Sequence, residues 1–250
     1  MTPIPQRRTR MAARVAAVCA LALATTGLAG CGSDPDEGTN GVGKLEPAQI
    51  RARAMKAAGS AGSVHLAGTV ITKDGGVELD MELSEGGGRG EVTSGGTTFG
   101  LLRIGETLYL QAGADFWNQA AGGDGEGVEG TTAEKLDGKY VKVPEKDPAY
   151  KRFSGFTDMD TLLDGLLALD GKLAKDDYHE VGEVRTIRLK VDDGAGGRMD
   201  VSLQGTAYPV RVERPGGGGT LRFTDWDKRI DLGEPPKDKQ VDYGQDLPET

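Results

Sequence analysis

Apolar and polar residues alternate along several short stretches of the chain. In residues 77–83, Val77, Leu79, Met81 and Leu83 are separated by acidic residues without a fault. The same period of two recurs in residues 107–111, 186–191, 199–204, 210–213 and 221–224. Because successive side chains of a strand point to opposite faces, this pattern predicts strands with one apolar and one polar face.

Glycine-rich segments lie between these stretches, at residues 74–76, 86–88, 95–96, 193–197 and 216–219. None of them ends in the Lys-Ser or Lys-Thr pair of a phosphate-binding loop, so hairpin turns are the better interpretation. Short strands joined by such turns predict an antiparallel meander.

Two segments have a helical pattern instead. Pro47 opens a weakly apolar helix that continues to Gly59. A strongly amphipathic helix is predicted over residues 159–169, with acidic residues at its N-terminal end, where the helix dipole favours them. Between them, residues 112–130 are expected to form a mobile surface loop, with a short helix near residues 132–136.

The number of strands predicts that the sheet is curved. About ten to eleven strands at about 4.8 Å spacing would make a flat sheet on the order of 50 Å wide. One helix covers only about 10 Å of that width. The sheet should therefore curl around its helices, which gives an α+β fold with a half-barrel antiparallel sheet wrapped over a few helices.

A curved sheet of this kind can leave an apolar cavity between strands and helices. Low aromatic content, 5% of the chain, favours an interior that is partly unfilled. A closed core filled by the same side chains is the alternative, and the sequence does not separate the two. The predicted cavity-lining residues are Leu79, Met81, Leu83, Leu108, Leu110, Leu162, Leu163, Leu166, Leu167, Ile187, Leu189, Met199, Val201, Leu203, Leu221 and Phe223.

Phe116 and Trp117 form an aromatic pair inside the interrupting loop. Adjacent bulky rings beside a cavity mouth are candidates for a gate or a membrane contact. The alternative is that Trp117 closes one end of the core.

The N-terminal residues have the pattern of an export signal. Four arginines precede a short apolar run, and Cys31 follows Leu-Ala-Gly directly. This pattern resembles a bacterial lipobox, in which the cysteine thiol takes a diacylglyceryl group, with palmitate among the usual acyl chains. We expect a protein anchored by lipid to the outer face of the cell membrane, exported by the Sec or the twin-arginine route.

Charge and length limit the partners and divide the chain. Removing the signal lowers the net charge from −9 to about −13, which argues against nucleic acid as a partner. The expected divisions are a signal peptide (1–30), the lipidated Cys31 with a flexible tether (31–44), one domain (45–235) and a disordered tail (236–250).

Candidate catalytic and metal-binding residues have structural explanations. His65 and His179 are the only histidines, and no G-x-S-x-G motif accompanies them, so no catalytic residues are assigned. Asp158, Asp160 and Asp164 do not follow a calcium-loop pattern, and acids at a helix start explain them. No cofactor and no metal are expected.

The closing strands resemble those of the LolA/LppX-like superfamily of bacterial lipid-carrier lipoproteins. The resemblance covers residues 199–203, 208–212, 221–226 and 230–235, and residues 138–143 look like that family's middle. It implies a half-barrel sheet over helices that binds acylated lipid or glycolipid, without enzymatic activity.

Two hypotheses follow for function. The first is an anchored lipoprotein that holds a lipid or another elongated apolar ligand between sheet and helices, with transfer across the envelope as an extension. The second is a non-carrier module of the same fold that docks a membrane protein partner or senses envelope stress.

Overall fold

A single open sheet organises the protein in the computed structural model, which describes residues 36–120 and 130–242. The sheet has twelve strands in this part of the chain. In chain order they are β1 (Ser63–Thr72), β2 (Gly75–Ser84), β3 (Gly87–Ser94), β4 (Thr97–Ile104), β5 (Thr107–Ala112), β6 (Tyr140–Val143), β7 (Leu173–Val181), β8 (Val184–Val191), β9 (Arg198–Ser202), β10 (Pro209–Glu213), β11 (Gly219–Thr224) and β12 (Gln240–Asp242).

The sheet is built from two meanders that meet in its middle. The strand order is β12-β6-β5-β4-β3-β2-β1-β11-β10-β9-β8-β7, so β1 pairs with β11 at the junction. All neighbours are antiparallel except β12, which pairs with β6 in parallel. The predicted α+β class with a curved antiparallel sheet is confirmed, and the strand count exceeds the expected ten to eleven.

Period-two patterning assigns the two faces of the sheet. Leu79, Met81 and Leu83 of β2 are buried on the inner face, and the intervening acids face outward. Gly68 lies on the inner face of β1 at φ 143°, and a Cβ there would be 2.1 Å from the Thr220 carbonyl oxygen. Glycine is required at this close approach of β1 and β11, and it permits the bend of the sheet.

Helices cover the inner face. They are α1 (Pro47–Ala58), α2 (Ala114–Ala120), α3 (Gly130–Leu136), α4 (Pro148–Ser154) and α5 (Met159–Leu167), with a 3-10 turn at Gly155–Thr157. α1 buries Ile50, Ala54 and Ala58 at four-residue spacing. None of the helices among these described residues is long and apolar enough to cross a membrane.

α5 contributes the most apolar stripe among the helices. Met159, Leu163, Leu166 and Leu167 are buried against the sheet, each stabilising the fold by about 1.5–3 kcal/mol. Arg214 donates to the carbonyl oxygens of residues 165 and 166 at 3.1 and 3.3 Å, which satisfies the C-terminal end. The helix ends at Leu167, two residues before the predicted end at 169.

The structure differs from the expected tether and tail at both ends. Residues 36–44 lie on the domain, with Val42 fully buried in a 3-10 turn (Val42–Lys44), because Val42 supplies apolar surface to the core. At the other end, residues 237–242 form a 3-10 turn and β12, where a disordered tail was expected. The hydrogen-bonding edge of β6 is available for pairing and orders this part of the tail.

The expected mobile loop at 112–130 is also partly regular. Residues 114–120 form α2, whose Trp117 is buried, and α3 agrees with the short helix expected near 132–136. Residues 121–129, the signal segment with Cys31, and residues 243–250 lie outside the described part of the chain.

A buried ion network holds the outer face of β8, β9 and β10. Asp200 accepts from Arg188 Nε at 2.8 Å and from Arg211 Nε at 2.7 Å, and its side chain is 1% exposed. Burial raises the pKa of Asp200 above its ordinary value, and the Arg188 hydrogen bond partly offsets this. Asp200 is therefore a structural partner of Arg188 and Arg211 on the polar outer face of the sheet.

The N-terminal cap of α5 gives a test of the fold. Asp158 accepts from the Thr161 amide at 2.8 Å, and this hydrogen bond lowers the pKa of Asp158. We expect Asp158→Ala to lower the free energy of unfolding by about 1 kcal/mol, measured by urea denaturation at neutral pH. Asp160→Ala, two residues further along and exposed, is the matched control and should change stability much less.

The pH dependence of that difference follows from the lowered pKa. A depressed folded-state pKa stabilises the protein above the ordinary value of 3.8 and loses this effect as pH falls through the folded-state pKa. The gap between wild type and Asp158→Ala should therefore shrink below pH 3.8. A gap that stays constant with pH would contradict the cap as its cause.

Candidate functional site

An apolar groove opens at one end of the inner face. Strands β2, β3 and β4 form its floor with Val77, Val92 and Phe99. Helix α2 contributes Phe116 to the opposite wall, and α4 with the following turn contributes Phe153 and Phe156. The groove has a volume of about 620 Å³, within the range of small-molecule sites.

Aromatic rings pack against one another along the groove. The Phe99 centroid lies 5.5 Å from Phe116 and 5.3 Å from Phe153, and the second pair is edge to face. Phe116 is half-buried, so one side of its ring remains open to the groove. Both distances lie within the range at which aromatic rings attract one another.

Polar residues line the rim of the groove. They are Thr72, Asp74, Ser94, Thr97, Gln119 and Arg152. The guanidinium carbon of Arg152 lies 4.9 Å from the centre of the Phe153 ring, where the ring face attracts a cation. The rim therefore has a cation beside an apolar interior, a combination suited to a chain with an anionic or polar head.

Phe116 and Trp117, the predicted gate pair, have different environments. Phe116 lines the groove. Trp117 is 1% exposed, and its Nε1 donates to the Ala112 carbonyl oxygen at 3.2 Å. Trp117 thus belongs to the core, as the alternative interpretation expected, and of the two rings Phe116 faces the groove; a gating role stays a prediction.

Most of the predicted cavity residues are closed off from solvent. Fifteen of the sixteen are at most 8% exposed, and Leu162 is partly buried. Side chains such as Met81, Leu108 and Ile187 have no exposed surface, so other protein atoms surround them. None of the sixteen lines the groove, and their role as ligand contacts stays a prediction.

The groove uses residues that the sequence analysis did not select. Val77 stands at the start of the alternating run in β2. Val92 pairs with Leu79 of β2, two residues after Val77, and with Phe99 of β4. Phe153 and Phe156 follow the Asp147-Pro148 start of α4, a helix that was not predicted. The three-residue spacing between Phe153 and Phe156, downstream of that helix start, is the sequence signal that could have located this wall.

A second pocket, of about 510 Å³, lies on the outer face under residues 231–236. Arg89 donates to the Asp231 carbonyl oxygen at 3.3 Å and also pairs with Glu82. Acidic and polar side chains dominate its walls, so it does not suit an apolar ligand.

His65 and His179 are the two candidate bases of the chain. His65 Nε2 lies 2.7 Å from Asp80 Oδ1, and its Nδ1 lies 3.2 Å from Thr224 Oγ1. All three project from adjacent strands onto the exposed outer face, so cross-strand pairing accounts for the contact. His179 lies on β7 apart from this group. The described residues contain no cluster of three or more His, Cys, Asp or Glu side chains suited to a metal.

Comparison with solved structures identifies the fold. LprF from Mycobacterium bovis matches over 76% of this chain and 99% of its own, at 16% identity and a TM-score of 0.51. Mycobacterium tuberculosis lipoprotein LppX matches over 74% and 99%, at 12% identity and a TM-score of 0.43. An uncharacterized conserved protein from Thermus thermophilus matches over 78% and 96%, at 13% identity and a TM-score of 0.34.

The likeness to LprF places the chain among open sheets covered by helices. Its fold is that of LprF, and the predicted LolA/LppX-like resemblance is confirmed at the level of fold. No protein-family model and no curated protein sequence matches the chain.

The different environments of Phe116 and Trp117 predict different costs of truncation. Trp117→Ala removes a fully buried ring and should lower the free energy of unfolding by about 3–5 kcal/mol. Phe116→Ala should cost less, because part of this ring is open to the groove. Urea denaturation of both variants measures the difference, and equal costs would contradict this assignment.

Proposed function

We propose that this protein is an exported lipoprotein, anchored through Cys31, that binds the apolar chain of a lipid in the groove between the sheet and helices α2 and α4. The observation that carries this proposal is the apolar groove lined by aromatic and valine side chains. The role is binding, not catalysis. The lipobox-like sequence at Cys31 supports the membrane setting.

The size of the groove suits an acyl chain. Each methylene moved from water into an apolar site contributes about 0.8 kcal/mol, so burying roughly ten gives about 8 kcal/mol. A binding free energy of that size corresponds to micromolar affinity before the costs of association are subtracted.

The rim favours a ligand with a polar head. Arg152 is exposed at the rim next to Phe153 and can meet a carboxylate or phosphate without losing all its hydration. Thr72, Ser94 and Thr97 add hydroxyl groups that can hydrogen-bond a sugar or glycerol head. An acylated lipid or glycolipid satisfies both the apolar floor and this rim.

The non-carrier module is the second candidate, because the predicted cavity residues are closed off in the core. In that case the groove is a shallow surface feature that docks a membrane protein partner, and no lipid co-purifies. Ligand measurements on groove variants separate the two functions.

Filling the groove tests lipid binding. Val77 is half-buried on the groove floor, and Glu78, the next residue, is exposed on the outer face. Val77→Trp should weaken binding of a fluorescent fatty acid by about tenfold or more, because the indole occupies the ligand's space; a loss of about 1.4 kcal/mol is tenfold.

Glu78→Trp is the matched control and should bind the fatty acid as wild type does. Urea denaturation of Val77→Trp shows whether the fold survives. Wild-type protein that neither binds the fatty acid nor carries lipid in native mass spectrometry would contradict the carrier function and favour the module.

The anchor is tested at Cys31. Cys31→Ser removes the only thiol that the lipobox-like sequence offers for acylation, so the protein should move from the membrane fraction to the soluble fraction. Metabolic labelling with a palmitate analogue should mark wild type and not Cys31→Ser. Membrane retention of the variant would contradict an acyl anchor at this residue.

A further inference from the structure

The segment after Cys31 is attached to one particular end of the sheet. We call this end, formed by the β7–β8 turn and residues 203–207, the tether end. Asn40 donates through its backbone amide nitrogen to the Leu203 carbonyl oxygen at 2.9 Å. Its side-chain nitrogen donates to the carbonyl oxygens of Ser202 and Gly205, both at 3.0 Å. One asparagine thus bridges three backbone positions of this loop.

Further contacts secure the same segment. Tyr178 donates to Asp36 Oδ2 at 2.7 Å, and Lys175 donates to the Gly43 carbonyl oxygen at 2.9 Å. Val42 is fully buried in the core cluster. Residues 36–44 therefore form a latch with both polar and apolar contacts, and detaching it would expose Val42 to water.

The latch shortens the connection to the anchor. Only residues 32–35 separate Cys31 from Asp36. Since a chain spans at most about 3.6 Å per residue, whatever its conformation, Asp36 cannot lie more than about 18 Å from the acylated cysteine. The sequence alone suggested a tether to residue 44, which would have given more than twice this reach.

The groove lies at the other end of the strands. A row of paired residues crosses the sheet from β9 to β1, namely Arg198, Glu213, Thr220 and Thr69. The groove opens just beyond this row, at the β1–β2 and β3–β4 turns, which we call the groove end. The latch contacts β9 at its opposite end, Ser202 and beyond. The separation along the strands is on the order of 30 Å.

We propose that the latch holds the tether end against the membrane that carries the acyl anchor, so that the groove opens away from that membrane. This rests on the acyl anchor of the proposed function. The outer face of β2 carries Glu78, Asp80 and Glu82, and anionic headgroups repel such a face, which disfavours tipping the sheet flat onto the surface. The partner surface of the tether end is the lipid headgroup layer.

Energy transfer to the membrane tests this orientation. The mature lipidated protein is reconstituted in anionic vesicles with acceptor-labelled headgroups, and a donor dye is attached to Glu183→Cys or Asp74→Cys. Both positions are exposed, at the tether end and the groove end respectively, and acylation leaves the introduced cysteine as the only free thiol. For ends on the order of 30 Å apart, transfer from position 183 should exceed that from position 74 by about twofold or more.

Two further variants test the latch as the cause. Inserting about 20 Gly/Ser residues after Ser33 adds roughly 25 Å of reach and should remove most of the difference. Asn40→Ala should reduce it by weakening the latch. Equal transfer from the two positions, or stronger transfer from position 74, with the natural connection would overturn the proposal.

Failure of the anchor gives a different result from failure of the orientation. Protein that does not float with vesicles contradicts acylation, whatever the dyes report. The orientation is then measured on a chain in which a histidine tag replaces residues 1–31, bound to nickel-chelating lipids. The same excess of transfer from position 183 supports the latch there, and its absence overturns it.

Discussion

The inner face of a twelve-stranded open sheet must be covered, and this requirement determines most of the structure. An uncovered face would expose rows of Leu, Val, Ile and Phe to water at about 25 cal/mol for each Å². The helices of the described chain are short, between seven and twelve residues, so none can span the sheet. Curvature brings the strands to the helices, and α1 and α5 with their buried stripes complete the core.

Cover is incomplete at one end of strands β1 to β4. β1 and β2 have ten residues and β3 and β4 have eight, whereas β6 has four and β9 and β10 have five. The long strands extend beyond the aliphatic core, and phenylalanines from α2 and α4 meet them there. Phe99 and Phe153 pack edge to face at this end, and the space that stays open beside them is the groove.

The sequence predicts those parts of the structure that depend on local interactions. The alternation of apolar and polar residues located β2, β5 and β8 to β11, because the residues of each strand show by themselves which of its faces is buried. The curved sheet followed from comparing strand and helix area. The latch was missed because Asn40 acts through carbonyl groups about 160 residues away, and β12 because an edge position is a property of the sheet. α4 was missed because its apolar positions are few.

The difference between local and long-range interactions also explains which features of the candidate site the sequence predicts. The sixteen predicted cavity residues were selected as inward-facing, and the fifteen closed ones are inward-facing in the structure. Inward orientation is readable from period two, but the fit between strands and helices depends on long-range packing that a single sequence does not encode. The groove residues Val92 and Phe99 become neighbours only through the β3–β4 register.

Energetics limit how far a bound chain can enter the core. Separating α5 from the sheet would expose Leu163, Leu166 and Leu167, at about 1.5–3 kcal/mol each, or roughly 5–9 kcal/mol together. An acyl chain burying roughly ten methylenes gains about 8 kcal/mol, which does not clearly exceed that cost once association entropy is included. Under the proposed function, a ligand therefore gains more by lying in the open groove against Phe116 and Phe156 than by displacing α5. Occupation of the deeper core would require a ligand with more than one chain.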